Sequence, residues 1–369
     1  MVDLSRYRGK RVFITGHTGF KGAWLCRVLQ NAGATVTGYA LEPPTEPSLF
    51  TIAGIGNGME SVIGDIRNYQ NLKCFFEKAR PEYVLHLAAQ PIVRASYAEP
   101  RCTYETNVMG TVNLLECVRQ SDTVRSFLNV TTDKVYENKE WIWGYRENEP
   151  LDGYDPYSNS KSCSELVTHC YKKSFFGDTY VALSTARAGN VIGGGDFAAD
   201  RIIPDCVRAA LAQKDILIRN PHSTRPYQHV LDPIFAYLMI AAGQYDDFTL
   251  SDSYNVGPDD ADCVTTGDLV TLFTEQWGGG LQWMSTHSSG PHEATFLKLD
   301  CSKLKSVFGW KPRWDLKKAV EKTVEWTKCW QSGSDVRACM DAQIAEFIGG
   351  CTQKSYHTTA STHERLIEG

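Results

Sequence analysis

The sequence of 369 residues lacks the motifs of several large protein classes. None of its twelve cysteines forms a C-x-x-C pair and none of its nine histidines belongs to an H-E-x-x-H motif, so the sequence predicts no metal site. It also lacks a run of basic residues, and its net charge of -5 indicates no surface for nucleic acid or anionic lipid. A small-molecule partner is therefore the default expectation.

The sequence also predicts no secretory signal. The amino terminus passes from a charged segment straight into a strand pattern, without an apolar stretch ahead of a cleavage site. The cysteines lie scattered, many in segments with helical periodicity, which predicts reduced and mostly buried thiols. These features favour a cytoplasmic protein that does not associate with a membrane.

Short apolar runs alternate with helix-length segments through the first half of the chain. The runs predict strands at 11–16, 35–40, 61–65, 83–89, 125–132 and 180–193. Between them, helical patterns cover 22–33 and 105–121. Such alternation is typical of βαβ units, so we predict an α/β fold, a Rossmann-type doubly wound parallel sheet. After about residue 190 loops rich in Gly and Pro interrupt shorter elements, which predicts a smaller mixed carboxyl-terminal lobe.

The segment "FITGHTGFKG" carries Gly16, Gly19 and Gly22 between a predicted strand and a predicted helix. Glycines there allow a tight turn and let the backbone approach a pyrophosphate at the helix amino terminus. The spacing is G-x-x-G-x-x-G, which differs from the usual dehydrogenase fingerprint. His17 and Lys21 add groups that can be positive near that pyrophosphate, although an exposed lysine is usually only a solvated charge.

The residues after the second predicted strand bear on the choice between NAD and NADP. No acidic residue ends that strand to hold a ribose; Leu41 and then Glu42 come next in the loop. No arginine stands there to accept a 2′-phosphate, so NAD is favoured. Asp65 could accept from an adenine amino group, or it could cap the next helix, and the sequence leaves both interpretations open.

The segment "YDPYSNSKSCSE" places Tyr157 and Lys161 one helical turn apart. We expect the ammonium group to lower the pKa of the phenol, so that the tyrosine can take a hydroxyl proton while a hydride leaves the same carbon. Such a pair is common on ordinary helices. The nucleotide-binding half before it, together with Thr132 at the end of a strand, favours the catalytic interpretation.

The segments "TGHTGFKG", "LHLAAQP", "NVTTDKVYEN", "YDPYSNSK" and "RPYQHVLDP" resemble the sugar-nucleotide dehydratase branch of the extended short-chain dehydrogenase/reductase family. The resemblance runs from about residue 8 to about residue 330. It implies bound NAD, the substrate CDP-glucose, and a homodimer or a dimer of dimers. The implied reaction oxidises and dehydrates CDP-D-glucose to CDP-4-keto-6-deoxy-D-glucose plus water, an early step toward the dideoxy sugars of bacterial surface polysaccharide, such as the O-antigen of lipopolysaccharide.

The resemblance also gives roles to the segment "TTDKVY". Thr132 would bind the 4-hydroxyl of the sugar, Asp133 would protonate the departing 6-hydroxyl, and Lys134 would take the C5 proton. The related dTDP-glucose enzymes carry Glu where Lys134 stands. A lysine acts as a base only when it is neutral; otherwise it would stabilise an enolate by its charge. A salt bridge between Asp133 and Lys134 is the purely structural alternative.

Further residues match family positions around the two ligands. The cofactor positions are Gly16, His17, Gly19, Phe20, Lys21, Gly22, Asp65, Ile66, Leu87, Ala88, Ala89, Thr106, Tyr157 and Lys161. The substrate positions are Gln90, Asn190, Arg201, Ile203, Pro204, Arg219, Arg225, Asn255 and His292. Tyr227 replaces an expected Trp and should preserve an aromatic surface.

We place the domain limits from the change in the pattern of predicted elements after about residue 190 and from the family resemblance. We expect an NAD-binding domain at 1–185, to which a segment near 228–255 returns, a sugar-nucleotide-binding lobe at 186–345, and a polar tail at 346–369. Three other functions stay open. A 4-epimerase would need no acid and base beside Thr132, a dehydratase could act on another NDP-glucose, and a non-catalytic relative should have lost Tyr157 or Lys161.

Overall fold

A computed structural model of the protein describes residues 2–177, 179–286 and 296–349. The strands are β1 Arg11–Thr15, β2 Thr35–Ala40, β3 Glu60–Ile63, β4 Tyr83–His86, β5 Ser126–Thr132, β6 Ala182–Ala188, β7 Val191–Ile192, β8 Ile216–Ile218, β9 Thr224–Pro226, β10 Gln228–His229, β11 Ser253–Val256, β12 Cys263–Thr265 and β13 Trp283–Ser285. The α-helices are α1 Phe20–Asn31, α2 Leu49–Ile52, α3 Tyr69–Ala79, α4 Val93–Ala98, α5 Pro100–Tyr104, α6 Gly110–Arg119, α7 Pro156–Phe175, α8 Ile202–Leu211, α9 Leu231–Asp246, α10 Thr266–Trp277, α11 Ser302–Phe308, α12 Leu316–Gln331 and α13 Val336–Gly349. Single 3-10 turns cover Leu4–Tyr7, Ile55–Gly58, Asp133–Val135, Phe248–Leu250 and Asp260–Asp262, and one π-helical turn covers Glu105–Met109.

The central sheet has seven parallel strands in the order β11-β6-β5-β4-β1-β2-β3. This confirms the predicted Rossmann-type parallel sheet. The chain runs outward from β1 through β2 to β3, and then restarts at β4 on the other side of β1. Doubly wound sheets bind ligands at the carboxyl edge beside such a reversal. The fold therefore points to the loops that follow β1, β4 and β5.

The central strands are buried on both faces, as apolar parallel strands should be. Every residue of β4, β5 and β6 is buried. The strand predicted at 83–89 ends earlier, at His86, and beyond it the hydroxyl of Thr15 accepts from the N–H groups of Leu87 and Ala88, each at 3.2 Å. The loop after β4 is thus tied to the end of β1.

Later parts of the chain complete both lobes. Strand β11 pairs with β6 at the sheet edge, and α9 packs against β5 and β6. A separate apolar core gathers α8, β8, α10 and α12 into the second lobe. The border at residue 185 itself stays a prediction.

Two helices differ from the predicted ones. The helix predicted at 105–121 begins with the π-helical turn before α6. Helix α13 continues through 346–349, the start of the predicted tail, because Ile344 and Phe347 are buried in the main core. The rest of that tail lies outside the described residues. Among the residues that the structure describes, no helix is both long and apolar enough to cross a membrane.

Candidate active site

The turn after β1 forms a cradle of backbone atoms. Gly16 has a φ of +79°, and a Cβ atom there would lie 2.7 Å from the amide nitrogen of Ala88. A Cβ atom at Gly22 would lie 2.1 Å from the carbonyl oxygen of Gly16. At Gly19, which precedes α1, a Cβ atom would meet only that same oxygen, at 3.5 Å. The turn is therefore closed on the protein side and open at Gly19, which fits a pyrophosphate above the helix amino terminus.

The ring of His17 does not face this cradle. It is buried, its Nε2 lies 2.7 Å from the hydroxyl of Ser61, and it packs edge-on against Phe50. Burial lowers the pKa of His17 to about 4, which keeps the ring neutral. The prediction of a positive group near the pyrophosphate is therefore wrong for His17.

Lys21 faces the interior of the site and is not a solvated surface charge. Its Nζ atom lies 5.8 Å from the ring centre of Tyr237. Burial, together with the charges of Arg201 and Lys161, lowers the pKa of Lys21 to about 8. Tyr237 is fully buried, and its hydroxyl has no partner among the described residues. The hydrophobic periodicity of the sequence did not single out Tyr237.

The predicted adenosine positions lie after β3. The carboxylate of Asp65 accepts hydrogen bonds from the backbone and side chain of Arg67, which lowers the pKa of Asp65. Asn68, not Asp65, caps α3, so the capping alternative is wrong. Ile66 is buried, and its carbonyl accepts a hydrogen bond from Asn113 at 3.0 Å. The adenine contact of Asp65 stays a prediction.

The loop after β4 uses the side chain of Gln90 for its own structure. Its amide donates to Thr103 at 2.9 Å, and its side-chain oxygen accepts from the N–H of Ile92 at 2.6 Å. Each side-chain atom keeps one further hydrogen-bonding position, so the substrate contact of Gln90 stays a prediction. Ala89 precedes Gln90 and is partly buried, and so is Thr106 in the π-helical turn.

Asn107, on the same π-helical turn, is a positioning residue that the sequence did not single out. Its side-chain oxygen accepts from the N–H of Gln90 at 2.8 Å, and its amide donates to the Gln90 carbonyl at 3.1 Å. The same amide donates to Ser160 on α7 at 2.8 Å. One buried side chain thereby fixes the β4 loop to the helix that carries Tyr157 and Lys161.

Thr132 and Asp133 lie where β5 ends. The Thr132 hydroxyl donates to Oδ1 of Asp133 at 3.0 Å, while Oδ2 is buried and has no partner among the described residues. Burial raises the pKa of Asp133, and the charges of Lys134, Arg225 and Lys21 oppose this change. A carboxyl group in such surroundings is suited to donate a proton.

Lys134 is partly buried beside this carboxyl group. Its backbone N–H donates to the Thr132 hydroxyl at 3.4 Å, and its positive charge lowers the pKa of Asp133. Within the described residues, however, Lys134 and Asp133 do not form the salt bridge that was the structural alternative. An acid and an amine thus stand together without neutralising each other.

Tyr157 and Lys161 lie on the first turns of α7, which Asp155 caps by accepting from the N–H of Ser158 at 2.9 Å. Burial raises the pKa of Tyr157 to about 12, although its hydrogen bond to Thr132 lowers it. Lys161 is buried, and its ammonium donates to the Val130 carbonyl at 3.0 Å. The predicted lowering of the phenol pKa is therefore wrong for this structure, because desolvation outweighs the nearby charges.

A buried ion pair supports both the helix and the strand. Glu165, one turn beyond Lys161, lies 2.9 Å from the guanidinium of Arg187 on β6. The same carboxylate accepts from the hydroxyl of Thr131 at 2.5 Å and from that of Thr185 at 2.6 Å. Burial of Lys161 lowers its pKa to about 8, and the charge of Glu165 counteracts that change.

Three arginines of the second lobe approach the site. Arg201 precedes α8, pairs with Asp196 at 3.1 Å, and lowers the pKa of Tyr157 by its charge. Arg225 is buried, and its charge lowers the pKa of Asp133. Arg219 contacts Asp200 at 3.4 Å.

The uncharged residues predicted to bind substrate in this lobe are buried or hydrogen-bonded within the protein. Ile203 and Pro204 are buried in α8. The carbonyl of Asn190 accepts from the N–H of Gln228 at 3.1 Å, and its side chain bonds the phenol of Tyr227. Tyr227 is only 2% exposed, so the predicted aromatic surface is wrong.

Asn255 has a structural role that excludes the predicted contact with substrate. It is fully buried on β11, where its amide donates to the carbonyls of Tyr145 at 2.7 Å and Asp300 at 3.1 Å. Its side-chain oxygen accepts from the hydroxyl of Tyr136 at 2.7 Å. The prediction for Asn255 is wrong because the sheet edge already uses all of these groups. His292 lies outside the described residues.

A family match covers most of the chain. The family described as GDP-mannose 4,6 dehydratase matches residues 13–323. The chain belongs to this family. The resemblance to the sugar-nucleotide dehydratases of the extended short-chain dehydrogenase/reductase family is thereby confirmed.

Individual relatives of this dehydratase family agree. The CDP-glucose 4,6-dehydratase of Salmonella typhimurium is 48% identical, over 96% of this chain and 100% of the relative. A probable dTDP-glucose 4,6-dehydratase of Sinorhizobium fredii is 27% identical, over 86% of this chain and 92% of the relative.

Solved structures share the fold. The dTDP-glucose 4,6-dehydratase of Bacillus anthracis in complex with NAD has a TM-score of 0.72 at 21% identity, covering 88% of this chain and 98% of that one. The UDP-glucose 4-epimerase of Thermotoga maritima has a TM-score of 0.75 at 22% identity, covering 87% of this chain and 99% of that one.

Proposed function

We propose that this chain is an NAD-dependent hydro-lyase that converts CDP-D-glucose to CDP-4-keto-6-deoxy-D-glucose and water. One observation carries the proposal. The Thr132–Asp133–Lys134 segment stands beside Tyr157 in a chain that is 48% identical to a CDP-glucose 4,6-dehydratase over 96% of its length. An enzyme that only oxidises C4 has no use for the acid and the amine.

The glycine turn supports NAD as the cofactor. Gly16, Gly19 and Gly22 would hold its pyrophosphate, and Leu87 and Ala88 would line the neighbouring loop. When bound, NAD supplies an acceptor for the C4 hydride and later returns that hydride to C6, so none is consumed.

Tyr157 and Thr132 act at the 4-hydroxyl of the sugar. The phenol takes the hydroxyl proton while C4 loses its hydride, and the threonine holds the oxygen in place. When protonated, Lys161, one helical turn beyond Tyr157, would favour the deprotonated tyrosine and so oppose the burial that raises the pKa of the phenol. The resulting 4-ketone acidifies the C5 hydrogen, which is otherwise too weak an acid to remove.

Asp133 and Lys134 then remove water across C5 and C6. Lys134 takes the C5 proton in its neutral form, and the C6–O bond breaks as Asp133 protonates the leaving oxygen. The product is an unsaturated ketone, to which a hydride adds at C6 and a proton at C5. Hydrogen and oxygen balance, because one hydrogen and one hydroxyl leave together as water.

Turnover tests the proposal directly. Purified protein is incubated with CDP-glucose or dTDP-glucose, with and without added NAD, and loss of one water is followed by mass spectrometry. We expect dehydration of CDP-glucose. No dehydration of either sugar nucleotide would overturn the proposal, and turnover of dTDP-glucose alone would overturn the nucleotide assignment.

We further propose a cytoplasmic homodimer, or a dimer of dimers, that acts early in the synthesis of dideoxy sugars for O-antigen. Apolar side chains support an interface along two neighbouring helices, because Met109 before α6 and Leu166 on α7 are 51% and 54% exposed. Light scattering on the eluting protein should give at least twice the mass of one chain. Substitution of both residues by Glu should lower that mass, and an unchanged mass would refute this interface.

A further inference from the structure

Arg94 joins the two lobes through a shared carboxylate. It lies on α4, directly after the β4 loop, while Asp200 and Arg219 belong to the second lobe. One oxygen of Asp200, Oδ1, lies 3.4 Å from a guanidinium nitrogen of Arg94 and 3.4 Å from one of Arg219. Two arginines from different lobes therefore point at one position, directly before Arg201, whose charge lowers the pKa of Tyr157.

The charges at this position are not balanced by Asp200. Two guanidinium groups share one carboxylate, which leaves an excess of positive charge. The next carboxylate is Asp205 on α8, whose pKa responds to the charges of both Arg94 and Asp200, but Asp205 is paired with Arg208. Arg94 and Arg219 can therefore bind an anion of higher charge than the Asp200 carboxylate.

The Asp200 carboxylate is also easy to displace from the two arginines. The side chains of Arg94, Asp200 and Arg219 are 38%, 40% and 34% exposed, and both contacts are long for charged hydrogen bonds. Exposed ion pairs of this kind contribute little to stability. A diphosphate offers more charge and several oxygens, which match the planar fork of arginine better than one carboxylate oxygen does.

We propose that Arg94 binds the diphosphate of the sugar nucleotide together with Arg219, and that Asp200 holds both arginines until the diphosphate replaces it. This inference rests on the proposed function, because that function supplies a nucleoside diphosphate sugar as the substrate. Arg94 then determines affinity for the nucleotide and is a binding residue outside the reacting atoms. Because its partner belongs to the other lobe, substrate binding also ties the lobes together over the site.

Calorimetric titration of the whole protein with CDP and with cytidine tests the proposal. We expect Arg94→Ala to weaken CDP binding about tenfold or more and to leave cytidine unchanged, since each guanidinium fork adds charge-assisted hydrogen bonds to phosphate alone. Arg94→Lys should lose part of that affinity. Asp200→Asn should tighten CDP about threefold or more, because the competing anion is gone. Asn tolerates the φ of +58° at this position as Asp does, so the backbone should be preserved.

Arg11 provides the matched control. It is 44% exposed and lies 3.5 Å from Glu82, but at the amino-terminal edge of the sheet, so Arg11→Ala should bind CDP as the native protein does. In steady-state turnover, Arg94→Ala should raise KM for CDP-glucose and leave kcat within about threefold, because Arg94 touches no reacting atom.

The outcomes separate this inference from the proposed function. If Arg219→Ala loses CDP affinity while Arg94→Ala binds within about twofold of the native protein, the inference is refuted and the dehydratase proposal stands. Weaker CDP binding by Asp200→Asn would refute the displacement. If CDP binding depends on Arg94 but no sugar nucleotide is dehydrated, the proposed function fails and the diphosphate site remains.

Discussion

The hydroxyl of Thr132 donates to Oδ1 of Asp133 at 3.0 Å, and this bond leaves Oδ2 of the same buried carboxyl group without a partner among the described residues. Burial raises the pKa of Asp133 against the opposing charge of Lys134. The threonine thus orients one oxygen, and the other is available to a ligand. Thr132 and Asp133 can therefore serve different steps of the proposed reaction, which are oxidation at C4 and loss of the 6-hydroxyl.

Asp133→Asn should block water loss without blocking oxidation. The amide keeps the hydrogen bond with Thr132 but cannot protonate the 6-hydroxyl, so the rate of dehydration should fall about a hundredfold or more. Reduced cofactor should accumulate on addition of CDP-glucose and be visible by its absorbance. Asp122→Asn, an exposed surface change, is the control. Dehydration at the native rate in Asp133→Asn would rule out the acid role.

Lys134→Ala should slow removal of the C5 proton and preserve hydride transfer from C4. We expect exchange of the C5 hydrogen with deuterated solvent to slow about a hundredfold, the usual contribution of a positioned base. Lys139→Ala, on the same loop, should exchange normally. Normal exchange in Lys134→Ala would remove Lys134 from the base role.

Gly19 and Gly22 should respond differently to alanine. A Cβ atom at Gly19 meets only the Gly16 carbonyl at ordinary contact distance, so Gly19→Ala should unfold at the native temperature but bind NAD about tenfold more weakly. A Cβ atom at Gly22 would lie 2.1 Å from the same carbonyl, so Gly22→Ala should lower both the melting temperature and the NAD affinity. Native NAD affinity in Gly19→Ala would place the pyrophosphate elsewhere.

The spacing of residues along the sequence was enough for predictions that depend on a single strand end or helix. The glycines between β1 and α1, and the Tyr157-x-x-x-Lys161 turn, are set by the geometry of a strand end and a helix. The ring of His17 could not be placed in this way. It lies against β2 because Gly38 has no side chain there; a Cβ atom at Gly38 would lie 2.3 Å from the ring.

Contacts between distant segments determined what the sequence could not predict. Asn255 matched a family position, yet its partners Tyr136 and Tyr145 lie more than a hundred residues earlier and occupy its side chain. Asn107 has no distinctive spacing, and its role arises only from the meeting of the β4 loop with α7. Burial and long-range hydrogen bonds, not residue type, decided these roles.

A buried acid away from the active site should make stability depend on pH. Asp232, on the first turn of α9, accepts from the N–H of Arg313 at 2.7 Å through Oδ1, while Oδ2 is buried without a partner among the described residues. Burial raises the pKa of Asp232 from its ordinary value of 3.8 to about 7. Between these two values the folded protein binds more protons than the unfolded chain.

Stability should therefore fall as pH rises from about 4 to about 7, and level off above that range. The loss at neutral pH is at most about 4 kcal/mol, because each pKa unit corresponds to about 1.4 kcal/mol. Asp232→Asn keeps an oxygen for the Arg313 N–H and removes the titration, so its melting temperature should exceed that of the native protein by a margin that grows toward neutral pH. Thermal denaturation across the range measures this, with Asp246→Asn at the exposed end of the same helix as the control. Parallel curves for the native protein and Asp232→Asn would mean that Asp232 is ionised in the fold, since only a proton held by the folded state produces the slope.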